Sequence, residues 1–195
     1  MERDEGSTPL SEEYLREHTV GELAPLTEPL RVVAYDPDWP RRFESEAGKI
    51  RAALGERARR IEHVGSTSVP DLPAKPVIDI VLVVVRSADE MEYAAALEAA
   101  GYRLRIREPG WHEHRLFKSP GNDVNLHVFS AGCTEVEKML SFRDWLRSNP
   151  GDRELYARTK HALAQQAWKY TQNYADAKTE VIQEILARAA ADSAT

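Results

Sequence analysis

The stretch HVGSTSVPDLPAKPVIDIVLVV, residues 63–84, decides how this 195-residue chain is read. Its second half, Val77 to Val85, is an apolar run of strand length interrupted by one acid, Asp79. A run that is apolar on both faces belongs in the middle of a sheet. A carboxylate in that position requires a cationic partner, a metal, or exposure at the end of the strand, because uncompensated burial costs several kcal/mol. A Gly-Ser pair, Gly65-Ser66, precedes the acid by a spacer of about a dozen residues.

That spacer is built for close approach to a ligand. Gly65 lets the backbone come near a bound group. Ser66, Thr67 and Ser68 add three hydroxyls and successive backbone N–H groups, which can cradle a phosphate. Lys75, four residues before Asp79, can neutralise a phosphate oxygen. The spacing matches neither GxxxxGK[ST] nor a GxGxxG that opens a helix, so a P-loop and a dinucleotide fingerprint are both excluded.

Outward from this stretch the chain reads as α+β. Arg31 to Tyr35 alternates like a short strand, and from Pro40 the residues Phe43, Ala47, Ile50 and Leu54 recur at helical spacing up to Gly55. Arg60 to Val64 forms the strand that enters the Gly-Ser turn. Ser87 to Glu90 reads as a capping box opening a helix that stops at Gly101. Strands follow at about 102–107, 114–118 and 123–129, the last two joined by a PGND hairpin turn. After Thr134 the pattern is helical: Val136, Met139, Leu140 and Leu146 mark one helix, and 152–168 and 172–190 two more. There are no internal repeats. Residues 1–30 read as an acidic extension; SEEYLREH has helix character with Ser11 as cap, but the surrounding Pro, Thr and Gly favour a mobile tail. Residues 31–192 form one domain.

The Gly-Ser turn followed by an acid on an apolar strand resembles the polymerase-beta-like nucleotidyltransferase superfamily. The longer strings VVAYDPDWPRRFESE, IEHVGSTSVPDLPAKPVIDI, NLHVF and FRDWLR, in this order, resemble the GrpB family, members of which also occur fused behind dephospho-coenzyme A kinase. The resemblance runs from about Arg31 to Ala190. It implies a nucleotidyltransferase-like mixed sheet with flanking helices and a helical C-terminal half. It also implies a turn at Gly65 to Ser68 that holds a nucleoside triphosphate, and a strand carboxylate, Asp79, that holds Mg²⁺. Tyr156 with Lys160 and Tyr174 with Lys178, each at i, i+4, read as amphipathic packing with the lysine reaching outward; because the resemblance includes these helices, the alternative places Lys160 or Lys178 over the phosphates.

The chain departs from the superfamily at one position. A full metal site uses two acids two residues apart, both on one face of the strand; here the partner of Asp79 is Val81. The best neighbouring strand is Asp123 to Phe129, whose polar residues Asp123, Asn125 and His127 alternate onto one face. If that face adjoins Asp79, His127 replaces or supplements the missing acid as metal ligand or catalytic group. Asp123 reads first as a turn-capping side chain. His63 borders the Gly-Ser turn, and WHEH (Trp111 to His114) invites a metal reading that a His-x-His pair alone supports weakly. Arg103, Arg105 and Arg107 share a strand face, either as a solvated edge or, with Arg115 and Lys118, as a basic wall for a phosphate-rich ligand.

Charge and cysteine content narrow the classes of function. Net charge is −6, but the first 30 residues carry eight acids against two bases, leaving a neutral body without the footprint of a duplex-DNA binder. The basic face has few aromatic neighbours, which argues against RNA. One cysteine, Cys133, excludes an internal disulfide and a cysteine zinc cluster. No apolar run approaches the ~20 residues of a membrane span, and the acidic N-terminus is not a secretory signal. The expectation is a cytoplasmic protein acting on a nucleotide or other phosphorylated small molecule, by Mg²⁺-dependent nucleotidyl or phosphoryl transfer to a small acceptor. The other reading is a non-catalytic regulatory domain that binds the nucleotide. The oligomeric state stays open.

Overall fold

The computed structural model describes residues 10–193. In chain order the elements are α1 (Glu12–His18), α2 (Trp39–Leu54), β1 (Arg60–Val64), β2 (Ile78–Val84), α3 (Ala94–Ala99), β3 (Arg103–Glu108), β4 (His114–Lys118), β5 (Val124–Ser130), α4 (Thr134–Ser148), α5 (Pro150–Ala164), α6 (Thr171–Asp176) and α7 (Thr179–Ser193). The five strands form one mixed sheet in the order β1-β2-β5-β4-β3. Only β2 and β5 are parallel; the other pairs are antiparallel. The fold is α+β, as the pattern predicts.

β2 occupies the interior of the sheet and is buried at every position except Asp79. Alternation then sorts its side chains. Ile78, Ile80 and Leu82 join Leu126, Val128 and Phe117 against Trp39, Phe43, Ala47 and Ile50 of α2 and Leu97 of α3. On the opposite face Val81 and Val83 pack with Val64 and Phe129 under Val136 and Leu140 of α4. A third cluster joins Val69 and Leu72, from the loop after the Gly-Ser turn, to Leu146, Tyr156, Val181 and Ile185 of the C-terminal helices. That third cluster sets the C-terminal helices beside the loop that carries Lys75.

Four expected elements differ. Arg31 to Tyr35 makes a single bridge, Val33 to Ala74, instead of a sheet strand. Its partner, Ala74, lies in a loop, so the pairing does not extend into a ladder. Ser87 does not cap a helix: its backbone N–H donates to the Ser130 hydroxyl and its side chain meets the same group, so the helix starts only at Ala94. The expected helix over 172–190 is split into α6 and α7 around Lys178. In the N-terminal extension, residues 1–9 lie outside the described residues. Ser11 caps α1 through a bond from the Tyr14 N–H, and Tyr14 and Leu15 are buried, so this part of the extension is docked. Two apolar side chains on one helical face outweigh the polar composition around them.

Candidate functional site

The site is built at the carboxyl end of β1 and the start of β2. Register sets Val64 opposite Asp79, so the turn leaving β1 lies directly beside the acid. Gly65 has φ 67° and ψ −173°, a region essentially restricted to glycine. A Cβ at that position would lie 2.4 Å from the Asp79 Oδ2 atom. Glycine is required twice over, by conformation and by the carboxylate packed against it.

The hydroxyls of the turn divide their labour. Thr67 Oγ1 donates to the Val77 carbonyl at 3.2 Å and lies 3.0 Å from His63 Nε2, and Ser68 Oγ donates to the Gly65 carbonyl at 2.6 Å. Both residues are buried and hold the turn's shape. Ser66 alone stays half-exposed, next to the Tyr156 ring of α5. His63 stacks on Phe43 with centroids 4.8 Å apart and is neutral, burial driving its pKa down to about 4.

Asp79 opens onto a cleft, with 27% of its side chain exposed. Asn125 Nδ2 donates to its Oδ1 at 2.8 Å, and His127 Nε2 lies 3.8 Å from the same oxygen. Burial pulls the Asp79 carboxyl upward, but His127 in its protonated form, the Asn125 amide and the Lys178 charge hold it below the usual carboxylate range. Across the sheet Asp79 pairs in register with Asn125, and Val81 with His127. His127 therefore occupies, on the next strand, the level at which a second acid would stand. The buried Asn125 Oδ1 has no hydrogen-bond partner.

Three lysines lie close enough to feel the charge of this carboxylate. Lys75 and Lys118 are half-buried, and burial lowers both pKa values, with Asp79 opposing the fall. Lys178, in the break between α6 and α7, stands over the Tyr174 ring at 4.6 Å and is lowered to about 8 by burial, again with Asp79 opposing. Among the described residues none of the three takes an ion-pair partner within salt-bridge distance. Lys160 is buried at 2% exposure and donates to the Pro73 carbonyl, so it braces the Lys75 loop from below. Burial, with Lys178 adding, lowers its pKa to about 7.

The other expected features dissolve into structural pairs. Arg107 and Arg115 both grip Glu90, and Arg105 donates to the Glu22 carbonyl, so no basic wall forms there. Asp123 accepts from Ser119 and Arg42 at the hairpin turn. His112 sits in the separate turn between β3 and β4 with φ 51°, while His114 is on β4, so the two do not chelate. Among the described residues no group of three His, Cys, Asp or Glu side chains could hold a metal ion.

The donors beside Asp79 do not fit a resident Mg²⁺ centre. Mg²⁺ demands near-octahedral oxygen ligation from carboxylates and phosphates. Here one carboxylate and one orphaned amide oxygen stand among uncompensated lysines, which repel a dication, and the other neighbour is an imidazole better suited to softer metals. Sequence reasoning treated Lys118 as part of the arginine wall, whereas the register sets it beside Asn125. Strand alternation could have placed Lys118, Asn125 and His127 together, but only with the β4–β5 register in hand.

Comparison with known proteins agrees with this architecture. A family model described as "GrpB protein" matches residues 29–188. The UPF0157 protein of Halalkalibacterium halodurans is 56% identical, with 97% of each chain covered. A dephospho-CoA kinase of Mycolicibacterium paratuberculosis is 34% identical over 71% of this chain, and the match covers 40% of that protein. The crystal structure of the conserved protein GrpB from Enterococcus faecalis superposes with a TM-score of 0.74 at 31% identity, covering 85% of this chain and all of that one.

Proposed function

The chain belongs to the GrpB family, and from that membership and the Asp79 cleft we propose that it binds a nucleoside triphosphate or a similar phosphorylated molecule and transfers a nucleotidyl or phosphoryl group to a small acceptor. One observation carries this reading: Lys75, Lys118 and Lys178 converge, half-buried, on a single carboxylate. Holding three ammonium groups partly out of water is costly, and a polyphosphate is the ligand whose charge offsets that cost. The nucleotidyltransferase-like placement of a Gly-Ser turn beside a strand acid supports the same reading.

In this scheme the phosphates lie against the Gly65-Ser66 backbone and the lysines. An acceptor hydroxyl oxygen attacks phosphorus, the bond to the leaving pyrophosphate (nucleotidyl transfer) or nucleoside diphosphate (phosphoryl transfer) breaks, and the hydroxyl proton passes to His127 Nε2. Asp79 then faces an imidazolium and stabilises it, while the lysines balance the charge on the leaving group. Mg²⁺ enters only as part of a Mg–nucleotide substrate. A second reading, binding without turnover, is favoured by Val81, which stands where the superfamily's second acid would be.

Calorimetry with ATP tests the site. Each charge-assisted contact contributes about 1.5–3 kcal/mol, so Lys75→Ala and Lys178→Ala are expected to weaken binding by roughly 10- to 100-fold. Asp79→Ala is expected to bind ATP at least as well as the wild type in EDTA. Unchanged affinity in both lysine variants would sink the phosphate site, and loss of binding in Asp79→Ala would point to a metal held by the protein. Release of labelled pyrophosphate or nucleoside diphosphate on adding a metabolite pool separates the enzyme from the binding domain.

A further inference from the structure

A chain of hydrogen bonds leaves the cleft and crosses the sheet. His127 Nδ1 on β5 lies 3.1 Å from His114 Nε2 on β4, and His114 Nδ1 lies 2.7 Å from Glu108 Oε2 on β3. The Tyr14 hydroxyl of α1 donates to Glu108 Oε1 at 3.0 Å. Glu108 and His114 are buried at 4% exposure, and His114 is stacked on Phe129 with Trp111 at its edge. Two strands thus contribute groups that the transfer scheme has not used.

With Glu108 ionised and both imidazoles neutral, the donors and acceptors along this chain have one order. Glu108 accepts the Tyr14 hydroxyl on one oxygen and, as a carboxylate, accepts from His114 Nδ1–H on the other. A neutral His114 then carries a bare Nε2, which must accept from His127 Nδ1–H. The hydrogen bond made by one ring nitrogen settles the state of the other. A neutral His127 is left with a lone pair on Nε2, aimed at the Asp79 side of the cleft. The 3.8 Å gap between that nitrogen and Asp79 Oδ1 is too long for a direct hydrogen bond. It leaves room for an acceptor hydroxyl that donates its one proton to Nε2 beside Asp79.

We infer that Glu108 and His114 are positioning residues that hold His127 in its Nδ1–H tautomer and present Nε2 as proton acceptor for a substrate hydroxyl. The inference deepens the transfer reading and rests on it for the identity of the proton donor. The tautomer itself stands apart from any activity. Two-bond ¹H–¹⁵N spectra of the full chain, labelled with ¹⁵N-histidine, read it directly, with His127→Gln assigning the resonances by their loss.

The wild type is expected to show the Nδ1–H pattern at His127. His114→Phe keeps a ring against Phe129 and Trp111 but has no acceptor, and is expected to lose that pattern in favour of Nε2–H. Glu108→Gln, which preserves shape, is expected to give a mixture of the two forms. A wild-type His127 protonated on Nε2, or Nδ1–H retained in His114→Phe, would overturn the inference; an unchanged spectrum in Glu108→Gln removes Glu108 from it. ATP binding is measured in parallel. All three proteins are expected to bind alike, because the lysines are intact. If the wild type fails to bind ATP, the phosphate reading falls while the tautomer result stands.

Discussion

Gly65 and His63 show how closely the turn is tied to the acid. Substituting Gly65 by Ala brings a Cβ to 2.4 Å from the Asp79 carboxylate in a conformation that side chains avoid. The backbone strain alone costs about 1–3 kcal/mol. Gly65→Ala is expected to lower stability in urea titrations by at least that amount and to lose ATP binding. His63 adds a pH dependence whose sign is definite. Its folded pKa, driven by burial to about 4, lies below the ordinary value of 6.5. The unfolded chain therefore takes up this proton first. Stability from the neutral ring is complete above pH 6.5 and is lost as pH falls from 6.5 toward 4, about 3 kcal/mol in total. Urea midpoints at pH 7 and 5 are expected to differ more in the wild type than in His63→Gln. An equal difference would mean that other groups govern the acid transition.

Strand β2 explains why the motif has one acid. Asp79 and Val81 share a face, but α4 covers the sheet only from Val81 onward, sealing it with Val64, Val83, Phe129, Val136 and Leu140. Asp79 stays outside that lid and looks into the cleft. A second carboxylate at 81 would be fully buried between Glu62 on one neighbouring strand and only the His127 imidazole on the other. Val81→Asp is expected to destabilise the fold by about 3–5 kcal/mol, measured by chemical denaturation, and to bring no Mg²⁺-dependent gain in ATP affinity. A stable variant with such a gain would show that α4 yields and that a two-acid site is latent. The break between α6 and α7 belongs to the same account, since it sets Lys178 over Tyr174 and within reach of Asp79.

Taken as a body, the molecule is closed by its N-terminal segment. Thr19 bridges Ile106, the Val20 N–H donates to Arg105, Glu12 pairs with Lys169, and the Leu10 N–H donates to Asp176. The segment thereby spans from the β3 edge to α6. Burial of Tyr14 and Leu15 gives this docking about 3–6 kcal/mol. A chain lacking residues 1–20 is expected to unfold at lower urea by a comparable free energy; unchanged stability would show that the docking contributes nothing. No helix among the described residues is long and apolar enough to cross a membrane. Much of this architecture is readable along the chain: the apolar run with one acid identifies the interior strand, the glycine before it marks a close approach, and the alternation of Asn125 and His127 identifies a polar face. These are local signals, because strand period and left-handed turns depend on a few adjacent residues. The lysine cluster, the seal over Val81 and the path from Glu108 through His114 to His127 join residues far apart in sequence. Only the strand order β1-β2-β5-β4-β3 and its register bring them together, since hydrogen bonds and charge act over a few ångströms of space.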